Sequence, residues 1–153
     1  ATIRTRAYEG AIAKLLPEAQ VTALPCPLLV PLVENGRFRP GDTVVETVVE
    51  EYLAPIKSVG ADTLVLGCTH YPLLTEVIGT YMGSGVTLIN SGAACARQVA
   101  SLLAGTDALA GDRRPGQRRY FVSDREEGFS ALASIFLGQD VRGDVEQVDI
   151  TRY

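Results

Sequence analysis

Two short apolar runs, DTLVLG at residues 62–67 and VTLIN at residues 86–90, constrain this chain more than any other feature. Neither has the polar alternation of a strand with one wet face, so both read as parallel strands covered on both faces. Between them Pro72 opens PLLTEVIGTYM and Gly83 closes it, the pattern of a helix with proline in its first turn and glycine past its end. Strand, helix, strand in that order predicts a parallel pair joined by a helical crossover.

The alternation extends in both directions. RTRAYEGAIAKLL (4–16) sets Ala7, Ala11 and Leu15 at helical spacing, with Tyr8 and Ile12 on the flank and Pro17 as the stop. VTALPC (21–26) reads as a buried strand, and LVPLVENG (29–36) as an apolar turn or short helix stopped by Asn35-Gly36. Asp42 supplies the N-cap of a long helix whose stripe is Val45, Val48, Val49, Tyr52, Leu53 and Ile56, with Pro55 bending its last turns. Ser91 opens GAACARQVASLLAG, residues 105–117 form a polar surface loop, and YFVS (120–123) is a strand. Ser123 and Glu126 have capping-box spacing for the helix REEGFSALASIFLG, and VEQVDI (145–150) is the last strand. The fold class is therefore α/β, a mostly parallel sheet flanked by helices.

Composition excludes several functions. A length of 153 residues favours one compact unit over two. The net charge of −4 and the absence of basic runs beyond Arg113-Arg114 and Arg118-Arg119 argue against a nucleic-acid partner. The longest apolar stretch, LPCPLLVPLV (24–33), is too short to span a bilayer and is broken by Pro25, Pro27 and Pro31, so no membrane association is expected. Three cysteines fit neither a disulfide framework nor a zinc site and read as free thiols in the cytoplasm. An opening Ala-Thr-Ile-Arg without an initiator methionine reads as a cut from something longer.

The chemistry concentrates in LVLGCTHYPLL (64–74), which places Cys68, Thr69 and His70 on the strand-to-helix loop. In open α/β sheets, ligands bind at the carboxyl ends of the strands, beside helix N-termini whose amides favour an anion and a thiolate. That position suits a thiolate acting on a carboxylate-bearing substrate. Thr69 offers a hydroxyl to the carboxylate, and His70 can hold or relay a proton near neutral pH. Cys26, at an apolar strand end, and Cys95, among helix alanines, read instead as small buried hydrophobes. One histidine with scattered cysteines makes no metal set, and no C-x-x-C pair supports a redox role.

LVLGCTHYPLL resembles the second-cysteine signature of the glutamate racemases, a branch of the aspartate/glutamate racemase family. ATIRTRAY at the start, CPLLVPLVENG at 26–36, LINSGAACARQVASLL at 88–103 and FVSDREEGFSALASIFLG at 121–138 are similar to segments in the same order in that family. Together they cover essentially the whole chain but only the second half or so of a typical member. The resemblance implies a cofactor-independent enzyme that interconverts L- and D-glutamate for the bacterial cell wall, using two cysteines on opposite faces of the substrate.

By resemblance Cys68 is the second cysteine, acting on L-glutamate; Thr69 and His70 contact the substrate and assist it. Glu34 resembles a carboxylate that positions or tunes that cysteine, and Thr2 a threonine that binds the substrate carboxylate. His70 favours glutamate, since aspartate-specific relatives tend to carry a glutamate after Cys-Thr; an aspartate or other amino-acid racemase ranks second. The family's first cysteine and its Asp-Ser pair lie in an N-terminal half that these residues do not include, so the 153-residue chain alone is expected to be inactive.

The resemblance also implies that residues 1–90 form most of the second racemase-type domain, and that residues 91–153 complete the first. The tail would then expose Ala100, Leu103, Phe129 and Phe136 and favour association with a second copy. A non-catalytic α/β module that binds a dicarboxylate is the rival of a different class.

Overall fold

A computed structural model describes residues 2–111 and 116–152. It divides into two compact units, Ala1–Gly92 and Ala93–Tyr153, where size alone favoured one. Among the described residues each unit has its own parallel strand pair. Helix α5, Ser91–Gly105, runs across the boundary.

In the first unit, β1 (Thr63–Leu66) pairs in parallel with β2 (Thr87–Asn90), in a register that sets Leu66 beside Asn90. The crossover helix begins as a tight 3-10 turn, Tyr71–Leu74, and continues as α4, Thr75–Met82, ended by Gly83 at φ 94°. The strands are covered less completely than their apolar runs predict: Leu66 is buried, but Val65 is 37% exposed. Among the described residues only β2 pairs with β1, so the pair has few neighbours to cover it.

Helix α3, Thr43–Ser58, supplies the largest buried stripe: Val45, Val49, Leu53 and Ile56, spaced four, four and three apart on one face. Asp42 caps it as expected, its carboxylate accepting from the Val44 and Val45 amides at 3.1 and 3.4 Å and from the Arg37 guanidinium at 2.7 and 2.9 Å. The helix continues through Pro55, because Leu53 and Ile56 anchor both sides of it in the core. It packs against α4, through Val77, Ile78 and Met82, and against α2, Leu29–Glu34, through Leu29 and Val33. The core thus lies among α2, α3, α4 and the end of β1, directly below the loop that follows Leu66.

Two expected elements change here. The helix at 4–16 is a 3-10 turn, Thr2–Thr5, followed by α1, Ala7–Leu15, with the break at Arg6 in the left-handed region (φ 52°). Its Ala7, Ala11 and Leu15 stripe faces solvent, while the flanking Tyr8 and Ile12 are half-buried. Residues 21–26 form no strand. Pro25 and Pro27 lack the N–H donors a ladder needs, and the Cys26 carbonyl is taken by the Leu29 amide in the turn that starts α2.

In the second unit β3 (Tyr120–Val122) pairs in parallel with β4 (Val145–Gln147), and α6 (Glu126–Leu137) lies between them in sequence. The Ser123–Glu126 capping box does not form: the Glu126 carboxylate accepts instead from the Gln147 amide at 2.9 Å, tying α6 to β4. The last strand is shorter than expected, because the chain turns into a 3-10 segment at Ile150–Arg152. Leu103 and Phe129 are exposed at 37% and 38%, and Ala100 is exposed, but Phe136 is half-buried. Of the expected loop at 105–117, residues 112–115, and with them Arg113-Arg114, lie outside the described residues. No helix among the described residues is long and apolar enough to cross a membrane.

Candidate functional site

The loop Gly67–His70 leaves the buried end of β1 and enters the 3-10 turn at Tyr71. Two amides of the turn are used internally: Tyr71 N–H donates to Cys68 O at 3.3 Å, and Leu73 N–H to His70 O at 3.1 Å. These short bonds fold the loop back on itself, so that Cys68, Thr69 and His70 present their side chains together. Leu74, fully buried, pins the far end of the turn. Ser91, the first residue of α5, donates its hydroxyl to Leu66 O at 3.2 Å, which ties the exit of β2 to the exit of β1.

The His70 ring organises the site. Its Nδ1 stands 3.8 Å from Cys68 Sγ and 3.3 Å from Thr69 Oγ1, and its Nε2 stands 3.2 Å from Glu34 Oε1. An ionised carboxylate only accepts, so the Glu34 contact calls for a proton on Nε2 and leaves Nδ1 of the neutral ring free to accept from the thiol or the hydroxyl. When the thiol proton moves to Nδ1, the ring becomes an imidazolium held between the thiolate and the Glu34 carboxylate. The His70 side chain is 18% exposed and that of Glu34 46%, so water weakens this ion pair on the Glu34 side.

Glu34 reaches the ring because α2 is short and firmly seated. Leu29 and Val33, four residues apart, are buried on one face, and the last residue of the helix turns off that face toward the loop. The helix ends where Gly36 takes φ 74°, with Gly36 N–H bonded to Val33 O at 2.9 Å and Arg37 N–H to Leu32 O at 2.9 Å.

Four of the five residues singled out from sequence meet in this cluster: Cys68, Thr69, His70 and Glu34. Thr2 does not join it through any hydrogen bond among the described residues; it is exposed in the first 3-10 turn, where its carbonyl accepts from the Thr5 hydroxyl at 2.8 Å. Cys26 is buried, and burial raises its thiol pKa, so it behaves as the small apolar residue expected. Cys95 differs from expectation: it is exposed on α5, because no residue of that helix is buried. No group of three or more histidine, cysteine or acidic side chains suited to a metal occurs among the described residues.

Two tyrosines escaped the sequence reading. Tyr8 of α1 lies against Gly67, so that a Cβ on that glycine would come within 3.1 Å of the Tyr8 hydroxyl and 3.2 Å of its ring. Tyr71 sends its hydroxyl to Cys26 O at 3.1 Å. Desolvation pushes Tyr71 up to about 12, with Cys26 and Cys68 nearby adding to the shift. The available signal for Tyr71 was its place directly after Cys-Thr-His; for Tyr8 there was only its flank position on α1.

No family model matches the chain. Curated relatives include the glutamate racemase of Geobacter metallireducens, 44% identical over 149 residues, which are 97% of this chain and 54% of that protein. The glutamate racemase of Lactiplantibacillus plantarum is 44% identical over 140 residues, 90% of this chain and 50% of that protein. Among solved structures, glutamate racemase from Francisella tularensis in complex with D-glutamate superposes with a TM-score of 0.86 at 30% identity, over 99% of this chain and 56% of that one. A glutamate racemase isoform from Bacillus anthracis gives 0.86 at 35% identity, over 97% and 54%. The chain spans about half the length of the curated relatives it matches.

Proposed function

We propose that this chain, homologous to glutamate racemases over nearly all of its own length, carries the Cys68 half of a two-base site that interconverts L- and D-glutamate. The observation that carries the reading is the continuous series of contacts from Cys68 Sγ through His70 to Glu34, built on a loop at the carboxyl end of a parallel strand. Such a series leaves a thiolate beside an imidazolium, and the thiolate is the base that removal of a carbon-bound proton requires.

In this reading the Cys68 thiolate takes the Cα proton of L-glutamate and becomes a thiol. A second thiol on the opposite face returns a proton to the planar carbanion, giving D-glutamate, and the reverse reaction exchanges the two roles. The second thiol comes from sequence outside these 153 residues. That assignment fits the relatives, which are about twice as long, and the state of Cys26, which is buried and holds its proton. Thr69, inside the cluster, receives the substrate carboxylate. Glutamate as the substrate draws support from the names of the relatives and from the D-glutamate complex of the Francisella protein.

Circular dichroism of L-glutamate solutions tests the proposal on the 153-residue chain and on a longer protein that contains it together with an opposing cysteine. The expected result is no conversion by the chain alone and conversion by the longer protein that Cys68→Ser abolishes. Turnover by the chain alone would overturn the external second base. Turnover surviving Cys68→Ser would overturn the role of Cys68, and faster conversion of L-aspartate would reassign the substrate.

A further inference from the structure

Tyr71 and His70 are consecutive in sequence, yet their side chains reach opposite ends of the same short segment. Tyr71 Oη donates to Cys26 O at 3.1 Å, and His70 Nε2 meets Glu34 Oε1 at 3.2 Å. The Cys26 carbonyl also accepts from Leu29 N–H at 3.2 Å, so it closes the turn from which α2 starts, and Glu34 is the residue on which α2 ends. A helix of this length spans about 8 Å. Its two ends are thus tied to adjacent residues of the catalytic loop.

We propose that Tyr71 is a positioning residue for Cys68: its hydroxyl fixes the start of α2, and through that rigid helix it sets Glu34 against His70. The inference rests on the reading of Cys68, His70 and Glu34 given above. Glu34 is half-exposed and its side chain is flexible, so its hold on His70 depends on where the helix end stands. Leu29 and Val33, the first and fifth of its six residues, seat α2 by apolar packing, which resists removal from the core but fixes rotation about the helix axis less firmly than directed hydrogen bonds do. At the start of the helix the second such bond runs from Leu28 N–H to Tyr52 Oη at 3.3 Å, also to a tyrosine. Because its hydroxyl stays protonated to about pH 12, Tyr71 remains a donor throughout the range in which a cysteine and a histidine exchange a proton. Tyr71 touches no reacting atom in this scheme; it acts through α2.

The test uses Tyr71→Phe, which deletes one oxygen, in the full chain with Cys95→Ser to remove the exposed thiol. The pH profile of Cys68 alkylation by iodoacetamide and the ring resonances of His70, the chain's single histidine, are the readouts. The expected outcome is Cys68 alkylation slowed roughly two- to tenfold at neutral pH, the range one hydrogen bond sets. The His70 ring resonances should move toward those of Glu34→Gln, and Tyr71→Phe should add nothing once Glu34→Gln is present. An unchanged profile in a folded variant, or effects that add in the double variant, would overturn the proposal. If Tyr71→Phe does not fold, the reciprocal measurement decides: Glu34→Gln should lower the most alkaline tyrosine titration seen by ultraviolet difference absorbance, and no change there overturns it. Neither readout needs glutamate turnover, so failure of the racemase reading would show separately, in the dichroism assay.

Discussion

His70 Nε2 and Glu34 Oε1 stand 3.2 Å apart although 36 residues separate them in the chain. The pair links the loop after β1 to the end of α2. Its strength is limited by the exposure of Glu34, which makes it an adjustable contact between two well-seated elements. Replacing Glu34 by Gln keeps the size and removes the acceptor charge. Cys68 alkylation at neutral pH should fall by about two- to fivefold, the equivalent of up to about 1 kcal/mol, while the thermal midpoint changes little.

The three thiols should separate by reactivity. Cys95 is exposed and Cys68 half-buried, whereas Cys26 is buried with its thiol pKa raised by desolvation. Alkylation of the native chain followed by intact-mass measurement should give two adducts, with a third only after denaturation. Rapid modification of Cys26 in the native state would contradict the burial of the segment before α2.

At Gly67 it is the Tyr8 ring, and not the backbone angle, that opposes a side chain. A Cβ there would press on the Tyr8 side chain at 3.1–3.2 Å, and that side chain is half-buried on a helix with no buried residue, so it can give way. Gly67→Ala should therefore cost only about 1 kcal/mol, and that cost should vanish in a Tyr8→Ala background. Urea unfolding of the four variants in this cycle checks it.

The α3 cap should make the first unit acid-sensitive. The hydrogen bond from Arg37, aided by the amides of Val44 and Val45, holds the Asp42 carboxyl below its ordinary range. The unfolded chain binds that proton more tightly than the folded one, so the stabilisation is present above the usual carboxylate range and is lost as pH falls through the depressed value. Asp42→Ala should lower stability near neutral pH and flatten the acid limb of a melting-temperature profile. Asp42→Asn, which keeps a cap but not the charge, should flatten the limb with a smaller loss.

Leu74 has no exposed surface and lies at the end of the 3-10 turn that follows the Cys-Thr-His loop. Leu74→Ala should cost about 2–5 kcal/mol, and its effect should include a change in the His70 ring resonances, because the cavity opens beneath the turn that follows His70. An equally destabilising change at Val49, in the middle of α3 with no exposed surface, should leave those resonances unchanged in the folded fraction.

Local signals fixed what the sequence could reveal. The strands at 63–66 and 87–90, the Asp42 cap, the Gly83 stop and the Cys-Thr-His loop were all readable, because each depends on residues within one turn or one run of its own neighbours. The capping box at Ser123 and Glu126 shows where that logic fails: the spacing was right, but Gln147, 21 residues on, offered Glu126 a backbone amide. The supposed strand at 21–26 failed likewise, since its apolar residues are buried or half-buried at only three positions and its prolines left no ladder to form.

The residue types for thiol chemistry and the loop that carries them were set by sequence alone, for a β-run ending in glycine before a Pro-led turn can place Cys68, Thr69 and His70 nowhere else. That Glu34 meets His70, and that Tyr71 and Tyr8 brace the loop, was decided by tertiary packing. The reason is physical: α2 reaches the site only because Leu29 and Val33 bury against α3, and no local propensity of residues 29–34 encodes where that burial will point the helix end.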